Sequence, residues 1–290
     1  MVVEVGGALR TYRIGEREVL DGYGPDELCT AARGQSLIPW PNRLEDGVYT
    51  FDGQEHQLAL SEPAQHNALH GLVRWSNWSV AEREDDRVVM VHRLHPQIGY
   101  PFALDLSIAY SLSAAGLRVT TTATNVGPGS CPYGAGAHPY LTVGTERLDE
   151  ATLTIPAKTW LPADARGIPV GEQPVDGTPC DFRAARTIAA TQLDTGYTDL
   201  LRDEDGLARV RLSAGGDGPA VALWLDESHP YLMVFTGDSV PEPERRRRGL
   251  GVEPMTCAPN ALRSGAGLQI LEPGSSFTGS WGIEPGPEEL

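Results

Sequence analysis

Between Leu104 and Asn125 the chain permits only one kind of backbone. Leu104, Leu106, Ile108, Tyr110 and Leu112 alternate with Asp105, Ser107, Ala109 and Ser111. A period of two places every apolar side chain on one face of an extended chain, whereas a helix would scatter them around its circumference. Ser113-Ala114-Ala115-Gly116 supplies a turn, and Leu117, Val119, Thr121 and Ala123 then resume the alternation. The pair reads as a hairpin with one buried face. Val48 to Phe51, the turn dipeptide Asp52-Gly53 and residues 54–60 read as a second hairpin. Residues 88–94, 220–225 and 231–235 are further strands. Residues 268–271 and 277–283 are expected to pair with each other around Pro273-Gly274. Only residues 182–193 offer room for a short helix. With 33 glycines and 23 prolines punctuating the chain, the expectation is an all-β fold, a large antiparallel β-sandwich, in preference to a barrel or an α/β fold. No internal repeat and no linker-like stretch divides the chain, so residues 1–290 are expected to form a single domain. That length buries a sizeable core without disulfides or metals.

Charge and cysteine usage narrow the function. The formal net charge of −16 opposes nucleic acid and an anionic membrane surface, both of which select basic proteins. The one basic block, Arg245-Arg246-Arg247-Arg248, follows a Pro/Glu-rich stretch and reads as a solvated loop. Cys29, Cys131, Cys180 and Cys257 are far apart and form no metal-type pair, so they read as buried thiols in a reducing compartment. The first residues contain no basic region followed by an apolar block, and no apolar run is long enough to span a bilayer. The expected location is cytoplasmic.

Four short segments carry the candidate chemistry. In Gly251-Val252-Glu253-Pro254-Met255-Thr256-Cys257 a lone carboxylate stands in an apolar stretch, and Pro254 disfavours helix at the residue before it. Burial raises a carboxyl pKa toward working pH and makes Glu253 a usable general base. Asn67-Ala68-Leu69-His70-Gly71 and Ala135-Gly136-Ala137-His138-Pro139-Tyr140 each set one imidazole among small and apolar residues. A core histidine bonded to a backbone carbonyl is the ordinary explanation for either one alone. Two of them together with an isolated Glu make a possible acid/base set. Ile38-Pro39-Trp40-Pro41-Asn42-Arg43-Leu44 adds planar polar groups, Asn42 and Arg43, beside the aromatic face of Trp40, a combination suited to a polyhydroxylated ligand. The alternative for this segment is a rigid loop with Arg43 paired to Glu45 or Asp46.

Other chemistries lack their parts. His66 and His70 have a helical metal-ligand spacing, but the residues between them do not read as helix. No dinucleotide fingerprint precedes a helix, and no serine nucleophile elbow occurs. A glycosidase would need two carboxylates across the bond, for which Glu253 and Asp194 are conceivable partners.

The same four segments, in this order, resemble the signature of the aldose 1-epimerases, the galactose mutarotase family, and most closely its bacterial subgroup. The resemblance runs from about Gly6 to Trp281. It implies a supersandwich with an open sugar cleft and no metal or organic cofactor. In the mechanism it implies, Glu253 removes the anomeric hydroxyl proton and His138 protonates the ring oxygen. The ring opens, the bond between the first two carbons rotates, and closure gives the other anomer. His70 would hydrogen-bond the reacting region. Arg43 would hold a ring hydroxyl or the ring oxygen, with Asn42, Trp40 and Tyr140 beside it. Asp194 in Asp194-Thr195-Gly196-Tyr197 matches the spacing of a further sugar contact, and Asp199 is a second candidate. The implied partner is a small free aldohexose, bound by a monomer or homodimer. Two alternatives follow from the same resemblance. One is a hexose-6-phosphate 1-epimerase with Arg74 as phosphate contact; the other is a non-catalytic carbohydrate-binding protein of the same fold.

Overall fold

The computed structural model describes residues 1–216 and 218–286, so the last four positions of the expected 1–290 unit lie outside the described residues. Two large antiparallel sheets dominate the molecule. The first has nine strands in the order Arg186–Thr187, Thr152–Thr154, Ala208–Ser213, Ala220–Leu225, Ser276–Pro285, Gly116–Asn125, Leu104–Ser113, Arg87–Leu94 and Ser79–Arg83. The second runs Gln173–Pro174, Ala157–Leu161, Asp194–Leu200, Tyr231–Phe235, Leu250–Met255, Gly136–Ala137 and Ser36–Leu37, with Tyr140–Leu141 also paired to Leu250–Met255. One cluster of buried apolar side chains joins the two. It includes Leu106, Ile108, Val119 and Leu223 from the first sheet and Leu232, Val234, Leu250 and Val252 from the second. The fold is therefore all-β, as the alternation requires.

The first hairpin forms as expected. Strands Leu104–Ser113 and Gly116–Asn125 pair over their whole length, with Ser113 opposite Gly116. The even-numbered residues of Leu104–Ser113 are buried as far as Tyr110, while Leu112 at its end is exposed. The solvent face is zipped by hydroxyl pairs such as Thr122 Oγ1 to Thr278 Oγ1 at 3.0 Å. Val48–Phe51 and Gln54–Gln57 form the second hairpin around Asp52-Gly53.

Two expectations fail. Residues 268–271 and 277–283 do not pair with each other. Strand Ser276–Pro285 lies between Gly116–Asn125 and Ala220–Leu225. With both its edges occupied, Gln269–Leu271 turns instead to Cys131–Tyr133. Residues 182–193 hold no helix. Their buried apolar residues are Phe182, Ile188 and Leu193, a spacing that cannot share one helix face. Arg186 stacks on the Phe182 ring at 3.6 Å, and Arg186–Thr187 pairs with Thr152–Thr154 at the sheet edge. The helical residues observed are Ala261–Ser264, with single 3-10 turns at Leu148–Glu150 and Pro243–Arg245.

The arginine run is also less solvated than its composition suggests. Arg247 is buried and ties three segments together. It donates to the Asp238 carboxylate at 2.9 Å, the Ala189 carbonyl at 2.6 Å and the Asp149 carboxylate at 3.2 Å. All four cysteines are free thiols. No helix among the described residues is long and apolar enough to cross a membrane.

Candidate active site

Glu253 sits in a central strand, Leu250–Met255, every residue of which is buried. A proline inside a central strand removes a ladder donor, and here its position explains the site. Val252 N–H donates to Pro139 O at 3.0 Å and Thr256 N–H to Ala135 O at 2.9 Å. By alternation residue 254 faces Ala137 between them, and as proline it has nothing to donate. The neighbouring strand is interrupted at this place: Gly136–Ala137 and Tyr140–Leu141 pair on either side of His138 and Pro139. The interruption turns His138 toward Glu253. Gly251 leaves room for the imidazole, because a Cβ there would stand 3.3 Å from His138 Cε1.

His70 comes from the other side. Arg43–Glu45 and Asn67–Leu69 pair so that Arg43 faces Leu69, and the chain then enters the left-handed region at both Asn42 (φ 58°) and His70 (φ 62°). The two residues clasp each other. His70 N–H donates to Asn42 O at 3.0 Å, and Asn42 N–H donates to His70 Nδ1 at 3.1 Å. Gly71 follows at φ 70°, where a Cβ would approach Ile38 O to 2.1 Å, so only glycine fits.

These residues converge on a cleft of about 330 Å³, a size suited to a small ligand. It is lined by Asn42, Arg43, His70, His138, Tyr140, Asp194 and Glu253 from the expected set, together with Glu62, Arg74 and Phe235. His138 Nε2 lies 3.3 Å from Glu253 Oε1. The His138 ring stacks on Tyr140, with centroids 4.8 Å apart and planes 9° from parallel. His70 meets His138 edge-on at 5.5 Å. Glu253 is 2 % exposed, and its Oε2 has no protein hydrogen-bond partner.

Burial governs the protonation of the set. It pushes the Glu253 carboxyl up to about 8; neighbouring Asp194 adds to the rise and Arg43 opposes it. Burial also pushes the His138 imidazole down to about 3 and the His70 imidazole well below its ordinary value, the latter helped by His138. The Glu253–His138 pair thus holds one proton, and desolvation favours two neutral partners.

His70, His138 and Glu253 offer ligand atoms within 4.8 Å of one another, a set that a divalent cation could use. The tautomer of His70 argues against it. Because Asn42 N–H donates into Nδ1, the neutral ring carries its proton on Nε2. Ligation through Nε2 would force a proton onto Nδ1, against the Asn42 N–H. His70 is built to donate a hydrogen bond.

Arg43 does not pair with Glu45 or Asp46. Its guanidinium forks onto Glu62, with Nε to Oε2 at 2.9 Å and Nη2 to Oε1 at 3.1 Å, and Nη1 stands 3.6 Å from Asp194 Oδ2. Asn67 Nδ2 braces Glu62 at 3.0 Å. Gly167 lies so close that a Cβ would come within 2.5 Å of Arg43 Nη1. Asn42 spends its side-chain oxygen on Arg43 N–H at 2.9 Å and so frames the cleft. Asp194 keeps its carboxylate half exposed at the rim, whereas Asp199 lies outside the cleft lining and accepts a hydrogen bond from Thr159.

Trp40 is the expectation that fails here. It is 3 % exposed and belongs to the hydrophobic core, so it offers no platform to a ligand. Gly134 N–H bonds to Pro39 O, and the segment turns the indole inward as Arg43 turns out. The aromatic walls of the cleft are Tyr140 and Phe235. Phe235 and Glu62 were not singled out by sequence. Glu62 precedes a proline, as Glu253 does, but so do Glu242, Glu272 and Glu284, and the pattern cannot choose among them.

The cleft of this all-β sandwich thus sets a buried carboxyl against one imidazole, with a second imidazole and a carboxylate-bound arginine facing the same small space. The chain belongs to the aldose 1-epimerase family, whose model matches residues 1–284. It is 34 % identical over 274 residues to a protein of Escherichia coli K12 called uncharacterized protein YihR, covering 94 % of this chain and 85 % of that one. It is 30 % identical over 233 residues to the Escherichia coli aldose 1-epimerase, covering 76 % of this chain and 66 % of that enzyme. Among solved structures, a GalM/aldose epimerase homologue from C. elegans superposes with TM-score 0.85 at 17 % identity, covering 98 % and 94 % of the two chains. A galactose mutarotase-like protein from Clostridium acetobutylicum gives 0.84 at 18 % identity, covering 97 % and 90 %.

Proposed function

We propose that the protein is an aldose 1-epimerase that interconverts the α and β anomers of a free aldohexose. The observation that carries this reading is the buried Glu253–His138 pair, 3.3 Å apart, at the floor of a cleft of about 330 Å³. Mutarotation needs one proton removed from the anomeric hydroxyl and one delivered to the ring oxygen. A pair that shares a single proton does both, and regenerates itself when the ring closes.

In this mechanism Glu253 acts as the base on the anomeric hydroxyl and His138 as the acid on the ring oxygen. The shared proton must move onto His138 as the sugar enters, and Arg43 favours that shift by stabilising the carboxylate. His70 donates from Nε2 to the reacting oxygens. Arg43, held rigid by Glu62, donates in a plane to sugar oxygens, and Asp194 accepts from hydroxyls at the rim. A neutral sugar hydroxyl suits the unpaired Glu253 Oε2. No step calls for a metal or organic cofactor.

A second reading rests on Arg74. It lines the cleft, and its guanidinium donates to Gln35 Oε1 at 3.4 Å, with no carboxylate among the described residues paired to it. Burial lowers its pKa, as expected for a cation lacking a counter-charge. A sugar carrying a phosphate or another anionic group would supply one.

Polarimetry of freshly dissolved α-glucose, α-galactose and glucose 6-phosphate, with and without protein, tests both readings. Acceleration of a free hexose, undiminished by a chelator, is the expected result. Acceleration confined to the anionic sugar and lost in Arg74→Gln would select the second reading. No acceleration of any sugar that nonetheless binds would leave a carbohydrate-binding protein.

A further inference from the structure

A second, larger cavity lies outside the sugar cleft. It measures about 1160 Å³, more than three times the cleft volume, and among the described residues it is lined by seven arginines and the terminal amine of Met1. Five carboxylates line it as well, so this face carries a cationic surplus on a chain whose formal net charge is −16. Arg13 is paired with Glu18, and Arg245 donates to the Glu27 carboxylate at 2.8 Å. Arg245 and Arg248 share one buried carboxylate, Asp21, at 3.7 and 3.9 Å, and Asp21 is already bound by Arg33 at 3.3 Å. Arg10, Arg147 and Arg246 have no carboxylate partner among the described residues. The Arg246 Nε donates to the Val240 carbonyl at 2.9 Å, and Arg10 reaches only the Met1 sulfur. Arginine is the side chain best matched to phosphoryl oxygens, and a concave site of one sign focuses its field on a ligand of the other.

We propose that this cavity is a binding site for a polyphosphorylated small molecule, separate from the sugar cleft. It absorbs the arginine run: Arg247 is the structural member, while Arg245, Arg246 and Arg248 face the cavity. The site also lies back to back with the cleft. Ser239, Val240 and Pro241 line the cleft, and the following residues Glu244 to Arg246 line the cavity. Asp21 holds Arg33, whose guanidinium stands 5.0 Å over the Tyr140 ring, and Tyr140 stacks on His138. An anion that draws Arg245 and Arg248 away from Asp21 leaves that carboxylate to Arg33 alone, so occupancy bears on the support of His138.

Isothermal titration of pyrophosphate into the full chain tests the proposal. We expect one saturable site, weakened about tenfold or more in Arg147→Gln/Arg246→Gln, since each lost charged contact removes of order 1 kcal/mol. Binding should weaken in 0.5 M salt (roughly a 4 Å screening length) and persist in Glu253→Gln. Absence of saturable heat would overturn it. So would binding indifferent to the double substitution, or binding abolished by saturating the cleft with sugar, because the anion would then sit elsewhere or in the cleft. Melting curves of the double variant show whether it remains folded. The outcome does not depend on mutarotase activity.

Discussion

Replacing Glu253 by Gln separates catalysis from stability, because the two should move in opposite directions. The side chain keeps its shape, and its amide can occupy the carboxyl's place 3.3 Å from His138 Nε2. The basic oxygen is lost, and with it a general-base contribution of roughly 10²-fold or more in rate. The stability change follows from the pKa. Burial raises the folded carboxyl from an ordinary 4.5 to about 8. Below pH 4.5 both folded and unfolded chains hold the proton, and the wild type pays nothing for it. Between 4.5 and 8 the unfolded chain has released the proton while the folded one retains it, so stability falls as pH rises. At pH 7 this amounts to about 3 kcal/mol, from 2.5 pH units at about 1.36 kcal/mol each. Glutamine does not titrate and escapes that loss. Glu253→Gln should therefore melt close to the wild type at pH 4.5 and above it at pH 7, by roughly 2 °C per kcal/mol. Differential scanning calorimetry at the two pH values and polarimetry on the same samples supply the data. A folded variant with near-normal turnover would remove Glu253 as the base. A variant that loses stability as pH rises, relative to wild type, would show that the carboxyl is ionised in the fold, and the burial argument would be wrong.

The same titration should appear in the free enzyme's kinetics: kcat/KM falls as pH rises through about 8, because the pair then loses the one proton that His138 must deliver to the ring oxygen. A rise through that value would show that the fully deprotonated pair is the active form and refute the shared-proton mechanism. Arg43→Lys keeps the charge but not the fork onto Glu62, so activity should drop although the protein remains folded; unchanged kinetics would give Arg43 a structural role only. Glu62→Gln should weaken sugar turnover by loosening Arg43 and lower the Glu253 pKa, since Arg43 then acts on Glu253 with less of its charge neutralised; a carboxyl titration by NMR that does not move would refute this. Trp40→Ala should cost about 3–5 kcal/mol through the core without a selective rise in KM, which denaturant unfolding and sugar titration can separate.

Much of the site was legible in the chain because local chemistry marks it. A carboxylate with no charged neighbour before Pro254, an imidazole before Pro139, and another before Gly71 each stand out from their surroundings. Glu62 and Phe235 gave no such mark, since their roles come from what lies across the cleft. Trp40 misled for the same reason: an indole beside Asn42 and Arg43 in sequence says nothing about which way it faces, and the turn at positive φ on Asn42 sends it into the core.

Fold class followed from period-two alternation and turn residues, which are local properties of the backbone and its side-chain spacing. Strand partnership did not. Ser276–Pro285 pairs with strands about 160 and 60 residues away, and Gln269–Leu271 with one about 140 residues away. Such choices depend on which edges are free and which faces bury together once the sheets exist. The protonation of Glu253 and His138 belongs to that second level too. A sequence can isolate an acid among apolar neighbours, but only the closed sandwich removes water from it, sets an imidazole 3.3 Å away, and so fixes where the shared proton rests.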